Sequence, residues 1–457
     1  MSHIDAVLAH VDANLDAALD RLFQVIRMKS ISTDHAYDAE TRRNAEWHAA
    51  DLASIGFDAA VRNTAGHPVV TAHDRSAKGR SVLFYGHYDV QPVDPLNLWH
   101  NDPFDPKIVD TPDGKVITGR GAADDKGQLM TFVEACRAWK AVTGSLPLPV
   151  SILLEGEEES GGASLPPFID ANLDELRADV ALICDTDMWD RNTPAITTTL
   201  RGLCGEEITI HAASRDLHSG MYGSAAANPN RVLARILADL HDADGRVTIP
   251  GFYDGVPELP EALRESWARL DFSESEFLGE VGLYVPAGEK GRSVLEQVWS
   301  RPTAEINGMG GGYQGDGFKT VIPAEARAKV SFRLVFDQDP HAIRAAFRDF
   351  VRARLPADCR VTFHEHGSGR AIAFDPSSDA FRLTGEALSA EWGRPAAFIG
   401  GGGSIPVATL IKQKLNMDVI LAGFGLPDDR IHSPNEKYAL RSFHKGIRSW
   451  VRVLGAL

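Results

Sequence analysis

Cysteine is scarce in this sequence. Four residues in 457, Cys136, Cys184, Cys204 and Cys359, stand isolated, with no CxxC pair among them. That spacing excludes a disulfide framework or a cysteine-based zinc ribbon and points to a reducing compartment. Long apolar runs are missing too, none approaching the roughly 18 residues that a membrane-spanning helix needs. Near the N-terminus, Ile4, Val7, Leu8, Val11, Leu15, Leu19, Leu22 and Phe23 recur at helical spacing with Asp interspersed, which reads as an amphipathic helix and not as a signal peptide. Positive charge is in short supply. Against 63 Asp+Glu stand 47 Lys+Arg, a formal charge of -16 that repels phosphate backbones and anionic lipid. No nucleic-acid or membrane partner is expected, and the expected location is the cytoplasm. A GxGxxG after the first strand is absent, and the glycine run 400–403 lacks the Lys-Ser/Thr of a phosphate loop, so a nucleotide-binding enzyme is disfavoured.

What is present is a globular composition, 44% hydrophobic and 24% charged, in a chain about three times the usual ~150-residue domain. Residues 81–85 (SVLFY), 150–154 (VSILL), 180–184 (VALIC) and 419–422 (VILA) are continuous apolar runs of strand length. Residues 127–142 place Leu129, Phe132, Val133, Cys136 and Trp139 on one helical face. This α/β pattern predicts a mainly parallel sheet with helices on both faces. Between about 200 and 375 the pattern becomes strand (205–212), helix (230–240), strand (325–335), helix (339–355) and strand (359–364), the order of an inserted α+β, ferredoxin-like domain. The expected organisation is a catalytic domain split between 1–200 and 376–457, with a dimerisation or lid domain at 201–375.

Metal-binding side chains cluster just after the apolar runs or at loop starts: His87 and Asp89; Asp124 and Asp125; Glu157, Glu158 and Glu159; Asp185 and Asp187; and, near the C-terminus, His432. In open α/β sheets, ligands bind beyond the carboxyl ends of the strands. A lone His after a strand is ordinarily a hydrogen-bonded residue, and an acidic triplet is ordinarily a solvated helix start. Together, two imidazoles and three carboxylates suit zinc or another first-row divalent ion and exceed one tetrahedral shell. Two ions bridged by a carboxylate accommodate the set.

Eight segments in order, YGHYDV (85–90), GRGAADDKG (119–127), LLEGEEESGG (153–162), RDLHSG (215–220), GFKTVIPA (317–324), SFRLV (331–335), GGSIP (402–406) and HSPNEK (432–437), resemble the dinuclear-zinc exopeptidase and deacylase superfamily. That superfamily includes carnosine dipeptidase, glutamate carboxypeptidase, acetylornithine deacetylase and succinyl-diaminopimelate desuccinylase, and the carnosine-dipeptidase branch is the most similar. The resemblance implies that Asp124 bridges two ions, with His87 and Asp185 completing one site and Glu159 and His432 the other. The choice of Asp185 over Asp187 rests on the resemblance alone. Glu158 is the implied general base toward a metal-bridging water, and Asp89 the residue that orients His87. A cis peptide bond is implied after Asp124. His218 is the implied oxyanion-stabilising residue, acting with Thr320 from the partner subunit of a homodimer. Arg333, Gly403 and Ser404 are implied to hold the substrate carboxylate, with His366 at the pocket wall. The ions are expected to be zinc, with manganese as the alternative.

Gly400-Gly401 replaces the Arg-Glu that commonly precedes GGSIP in that branch, and Glu157 replaces a commonly apolar residue. The expected activity is hydrolysis of the amide of a dipeptide, or of a related N-acyl amino acid, that bears a free C-terminal carboxylate. The alternatives are an N-acyl amino acid deacylase and, further off, a metal-dependent dimer without turnover.

Overall fold

The computed structural model describes residues 3–403 and 405–457. The chain divides into two compact units. The first comprises residues up to Thr198 with Phe374–Ile399 and Leu410–Leu457, and the second comprises Thr199–Ala373 and Gly400–Thr409.

In the first unit the apolar runs become neighbouring strands. Val150–Glu155, Val82–His87, Val180–Ile183 and Asp418–Leu421 lie side by side in that order, each parallel to the next. Val69–Asp74 and then Asp58–Arg62 extend the sheet antiparallel on one side, and Ala195–Leu200 pairs antiparallel on the other. Every residue of Val82–His87, Val150–Glu155 and Val180–Ile183 is buried. Strands covered on both faces need such unbroken apolar runs. Helix Lys126–Thr143 buries the predicted stripe and stops at Gly144, whose φ of 79° is the left-handed conformation that a side chain disfavours. Helix Leu440–Ala456 packs against it. Phe84 of the sheet stacks on Phe132 at 3.9 Å between centroids, and Trp450 meets both rings edge-on at 6.1 and 5.5 Å.

The second unit holds an antiparallel sheet in the order Thr303–Gly311, Glu325–Leu334, Gly202–His211, Arg360–Gly369. Along Glu325–Leu334, Ala326, Ala328, Val330, Phe332 and Leu334 are buried, so Arg333 stands on the opposite face. Helices Pro229–Ala238 and Pro340–Arg352 each begin with proline behind a capping residue, Asn228 or Asp339, whose side chain accepts an amide hydrogen bond. They contribute Val232, Leu233, Ile236, Ile343, Phe347 and Val351 to this core.

Strand Thr303–Gly311 departs from the sequence expectation. Its residues, TAEINGMGG, carry no alternating apolar face and are rich in glycine. It is a strand because its backbone pairs along Glu325–Leu334, with a register shift between Ile306 and Gly308 that marks a bulge. Short helices Glu261–Ala268, Glu274–Gly279 and Val294–Trp299 also interrupt the simple alternation. Among the described residues, no helix is long and apolar enough to cross a membrane.

Trp450 is fully buried against three rings, those of Phe84, Phe132 and Phe424. Trp450→Ala is expected to cost ~3–5 kcal/mol of stability in chemical denaturation. A loss below about 0.5 kcal/mol, the range of ordinary surface changes, would contradict this account of the core.

Candidate metal centre

Parallel strands end together, and that places the first unit's polar side chains. His87 is the last residue of its strand, Asp185 lies two residues beyond Ile183, and Glu158 and Glu159 open a short helical turn, Glu158–Ser160, after Glu155. Asp124 sits in the turn before helix Lys126–Thr143, and the Asp124-Asp125 peptide is cis. This turn is tight. A Cβ at Gly127 would fall 1.8 Å from Ala122 O, so only glycine lets the helix start so close to the loop. His432 comes from the segment before strand Lys437–Ala439, which pairs antiparallel with Gly114–Thr118.

The two oxygens of Asp124 face two imidazoles. Oδ1 is 3.1 Å from His87 Nε2, and Oδ2 is 2.8 Å from His432 Nε2. Asp185 Oδ2 lies 3.8 Å from His87 Nε2, and Glu159 Oε2 lies 3.2 Å from His432 Nε2. Donor atoms of His87, Asp124 and Asp185 fall within 4.8 Å of one another, and so do those of Asp124, Glu159 and His432. Asp187 is in neither group. Its Oδ1 lies where a Cβ on Gly425 would come within 2.4 Å, and burial with the charges of Asp429 and Asp124 raises its pKa to about 6.

The residues present fit divalent ions. His87 Nε2 is buried, has no hydrogen-bond partner, and is aimed into the carboxylates. Burial and the charges of Asp124, Glu158 and Glu159 push the Asp185 pKa well up against the opposing pull of His87. Burial opposes a charge on His87, yet the nearby Asp124 and Asp89 carboxylates outweigh it and drive its pKa well above the usual range. Contacts with Asp124 and Glu159 raise His432 to about 10. The cluster thus calls for positive charge, which protons on the imidazoles or divalent cations can supply. Its nitrogen and oxygen donors suit zinc and manganese alike.

Glu158 stands outside both groups. Burial raises its pKa, and Glu159, Asp89 and Asp124 add to the shift against His87. Asp89 is fully buried. Its Oδ1 lies 3.4 Å from His87 Nδ1, while Oδ2 accepts hydrogen bonds from Ser32 Oγ at 2.6 Å and Glu159 N at 3.0 Å. Asp89 therefore reaches a residue of each group, with its backbone O 3.2 Å from His87 Nδ1 and its carboxylate on the Glu159 amide. Sequence reasoning missed Ser32 and Gln91 and gave Asp125 no role of its own. Gln91 Nε2 donates to Glu159 Oε2 at 2.7 Å, and Asp125 Oδ2 accepts from His87 N at 3.0 Å. Gln91 and Asp125 lie inside or beside quoted motifs, but nothing in their spacing tells a supporting hydrogen bond from a loop polar residue. Glu157 accepts from His67 N at 2.7 Å and Ser164 N at 2.9 Å, which accounts for a buried charge away from the ligands.

The remaining predicted residues belong to the second unit. His218 and Thr320 are brought together: Leu217–His218 pairs with Val321–Ile322, and Ser219 N donates to Thr320 O at 3.1 Å. His218 is exposed, and its Nδ1 accepts from Gly220 N at 3.0 Å. Arg333 lines a cavity of about 660 Å³ with Arg201, Thr303 and Glu305. Gly403 O accepts from Arg201 N at 3.1 Å. His366 is exposed on strand Arg360–Gly369, its ring 5.0 Å from that of His364. Ser404 lies outside the described residues. The departure at Gly400 has a physical counterpart, because a Cβ there would fall 2.5 Å from Trp299 Cβ. Trp299 fills the space that a larger residue needs.

Residues 83–456 match Peptidase family M20/M25/M40. The chain is 29% identical over 461 residues to the Cys-Gly metallodipeptidase dug1 of Schizosaccharomyces pombe, covering 97% of this chain and 96% of that one. It is 29% identical over 389 residues to the human Beta-Ala-His dipeptidase, covering 83% of this chain and 76% of that one. Among solved structures, the M20 family metallo-carboxypeptidase Sso-CP2 of Sulfolobus solfataricus is similar with a TM-score of 0.81 and 30% identity, over 96% of this chain and 98% of that one.

Ions that bind the folded chain and not the unfolded one stabilise it, by about 2.7 kcal/mol at 100 times the dissociation constant. Saturating zinc is expected to raise the melting temperature of the chelator-treated protein by several degrees. The same zinc is expected to leave Asp124→Ala almost unmoved. An equal shift in both proteins would contradict the role given to this carboxylate.

Proposed function

The chain belongs to Peptidase family M20/M25/M40, and from that premise we propose that it is a metal-dependent hydrolase of dipeptides, or of related N-acyl amino acids, with a free C-terminal carboxylate. The observation that carries this reading is the pair of donor groups that share Asp124, with Glu158 beside them and in neither. His87, Asp124 and Asp185 would hold one ion, and Asp124, Glu159 and His432 the other, with zinc favoured and manganese the alternative. When bound, the ions supply the Lewis acidity that polarises an amide carbonyl and offsets charge on its oxygen.

The chain's own residues do the rest. Glu158, its pKa raised by burial, takes a proton from the attacking water and delivers it to the leaving amine nitrogen. Asp89 orients the His87 ring through its backbone O and, with its carboxylate on Glu159 N, the neighbouring ligand. Arg333 is suited to a substrate carboxylate because a guanidinium presents two parallel donors, and it faces a cavity large enough for an amino-acid residue. His218 and Thr320, adjacent and exposed, act on the partner subunit of a homodimer formed through the second unit. Reduced cysteines accord with a cytoplasmic location.

The relatives named for Cys-Gly and Beta-Ala-His favour dipeptides. Gly400, closed off by Trp299, lacks the usual charged side chain there, and an N-acyl amino acid deacylase is the alternative that the relatives do not favour. Mass-spectrometric screening of dipeptides beside their N-acetylated counterparts separates the two, and a preference for free α-amines is expected. Glu158→Gln is expected to retain its ions and to lose turnover by roughly 10²- to 10⁴-fold. Near-normal turnover in the metal-replete variant would remove Glu158 from the chemistry. Mixed dimers of His218→Ala with Glu158→Gln are expected to recover part of the activity, and proven heterodimers with none would contradict a shared site.

A further inference from the structure

Four residues beyond His432 lies a carboxylate that none of these roles uses. Glu436 is fully buried, and its two oxygens accept four hydrogen bonds. Arg120 Nη1 and Gly121 N donate to Oε2 at 2.8 and 2.9 Å, and Ala123 N and Asp124 N donate to Oε1 at 2.9 and 3.1 Å. Its backbone O also accepts from Gly119 N at 3.1 Å. Arg120 is fixed in turn, with Nη2 donating to Pro92 O at 2.9 Å and the guanidinium 5.4 Å from the Trp99 ring centre.

Every donor on this carboxylate comes from the segment 120–124 that carries Asp124, while Glu436 itself belongs to the segment that carries His432. An ordinary buried ion pair satisfies a charge. This one also spans the two pieces of backbone whose side chains meet at 2.8 Å, Asp124 Oδ2 to His432 Nε2. A carboxylate is the side chain for the task, since it accepts on both oxygens and has no donor to oppose the N–H groups. An amide would turn its NH₂ toward one pair of donors and break two bonds. His432, at φ 57°, sits in a backbone conformation that must be held by its surroundings.

We propose that Glu436 is a positioning residue for the metal centre: its carboxylate ties the Asp124 loop to the His432 loop and sets the approach of the shared carboxylate to the second imidazole. The proposal rests on reading the cluster as a metal centre.

Cobalt(II) alone, added to metal-free full-length protein, tests it through affinity and visible absorption. Wild type is expected to bind tightly. Glu436→Gln and Glu436→Asp, each checked for native circular dichroism, are expected to bind roughly 10- to 100-fold more weakly with a shifted absorption band. Glu436→Asp keeps the charge beside Arg120 but withdraws it by one methylene, so the comparison stands should Glu436→Gln not fold. Glu391→Gln is the control. Glu391 is another buried carboxylate, paired with Arg448 and Arg452 and away from the ligand loops, and its loss is expected to leave affinity and spectrum unchanged. Folded Glu436 variants with wild-type affinity and spectrum would overturn the positioning role while leaving the metal centre intact. Equal weakening by Glu391→Gln would reduce it to general destabilisation. Absence of cobalt binding by wild type would overturn the metal centre itself, and this proposal with it.

Discussion

Carboxylates repel one another, and the first unit of this chain gathers three of them, Asp124, Glu159 and Asp185, against two imidazoles. Two like charges about 4 Å apart cost on the order of 4 kcal/mol at a protein-like dielectric. Assembly of the cluster therefore depends on positive charge at its centre and on backbone stiff enough to hold the donors until that charge arrives. Asp124 is where both demands meet, because each of its oxygens faces a different imidazole. The surrounding hydrogen bonds all bear on that geometry. Asp125 takes the His87 amide, Asp89 links His87 with Glu159, and Glu436 takes the Asp124 amide.

The stiffness comes from the sheet. Strands buried on both faces cannot slide without exposing apolar surface, so their carboxyl ends are fixed relative to one another. The stacked Phe84 and Phe132 rings pin the helix that begins beside Asp124 to the strand that ends at His87. Core packing and ligand placement are in this way one problem. The second unit follows a different logic: its sheet alternates, burying one face against two helices and leaving residues such as Arg333 on the other.

Much of this was legible in the sequence because the physics is local. Unbroken apolar runs near residues 81, 150, 180 and 419 had no alternative to buried strands, and the ligand types that follow them stand where parallel strands end. Strand Thr303–Gly311 was not legible, since its conformation is imposed by a partner strand and not by its own side chains. Spacing could not choose between Asp185 and Asp187, which lie two residues apart. In the fold the two part: Asp187 lies against Gly425, and Asp185 lies 3.8 Å from His87. Ser32 escaped notice for a similar reason, because its partner Asp89 is 57 residues away.

The central claim is that one carboxylate is shared by two ions. Anomalous diffraction at the zinc absorption edge, from crystals of the zinc-loaded protein, addresses it most directly. Two anomalous peaks per chain are predicted, with one Asp124 oxygen against each, His87 and Asp185 at the first peak and Glu159 and His432 at the second. A single peak, or two peaks with Asp124 touching only one, would contradict the account.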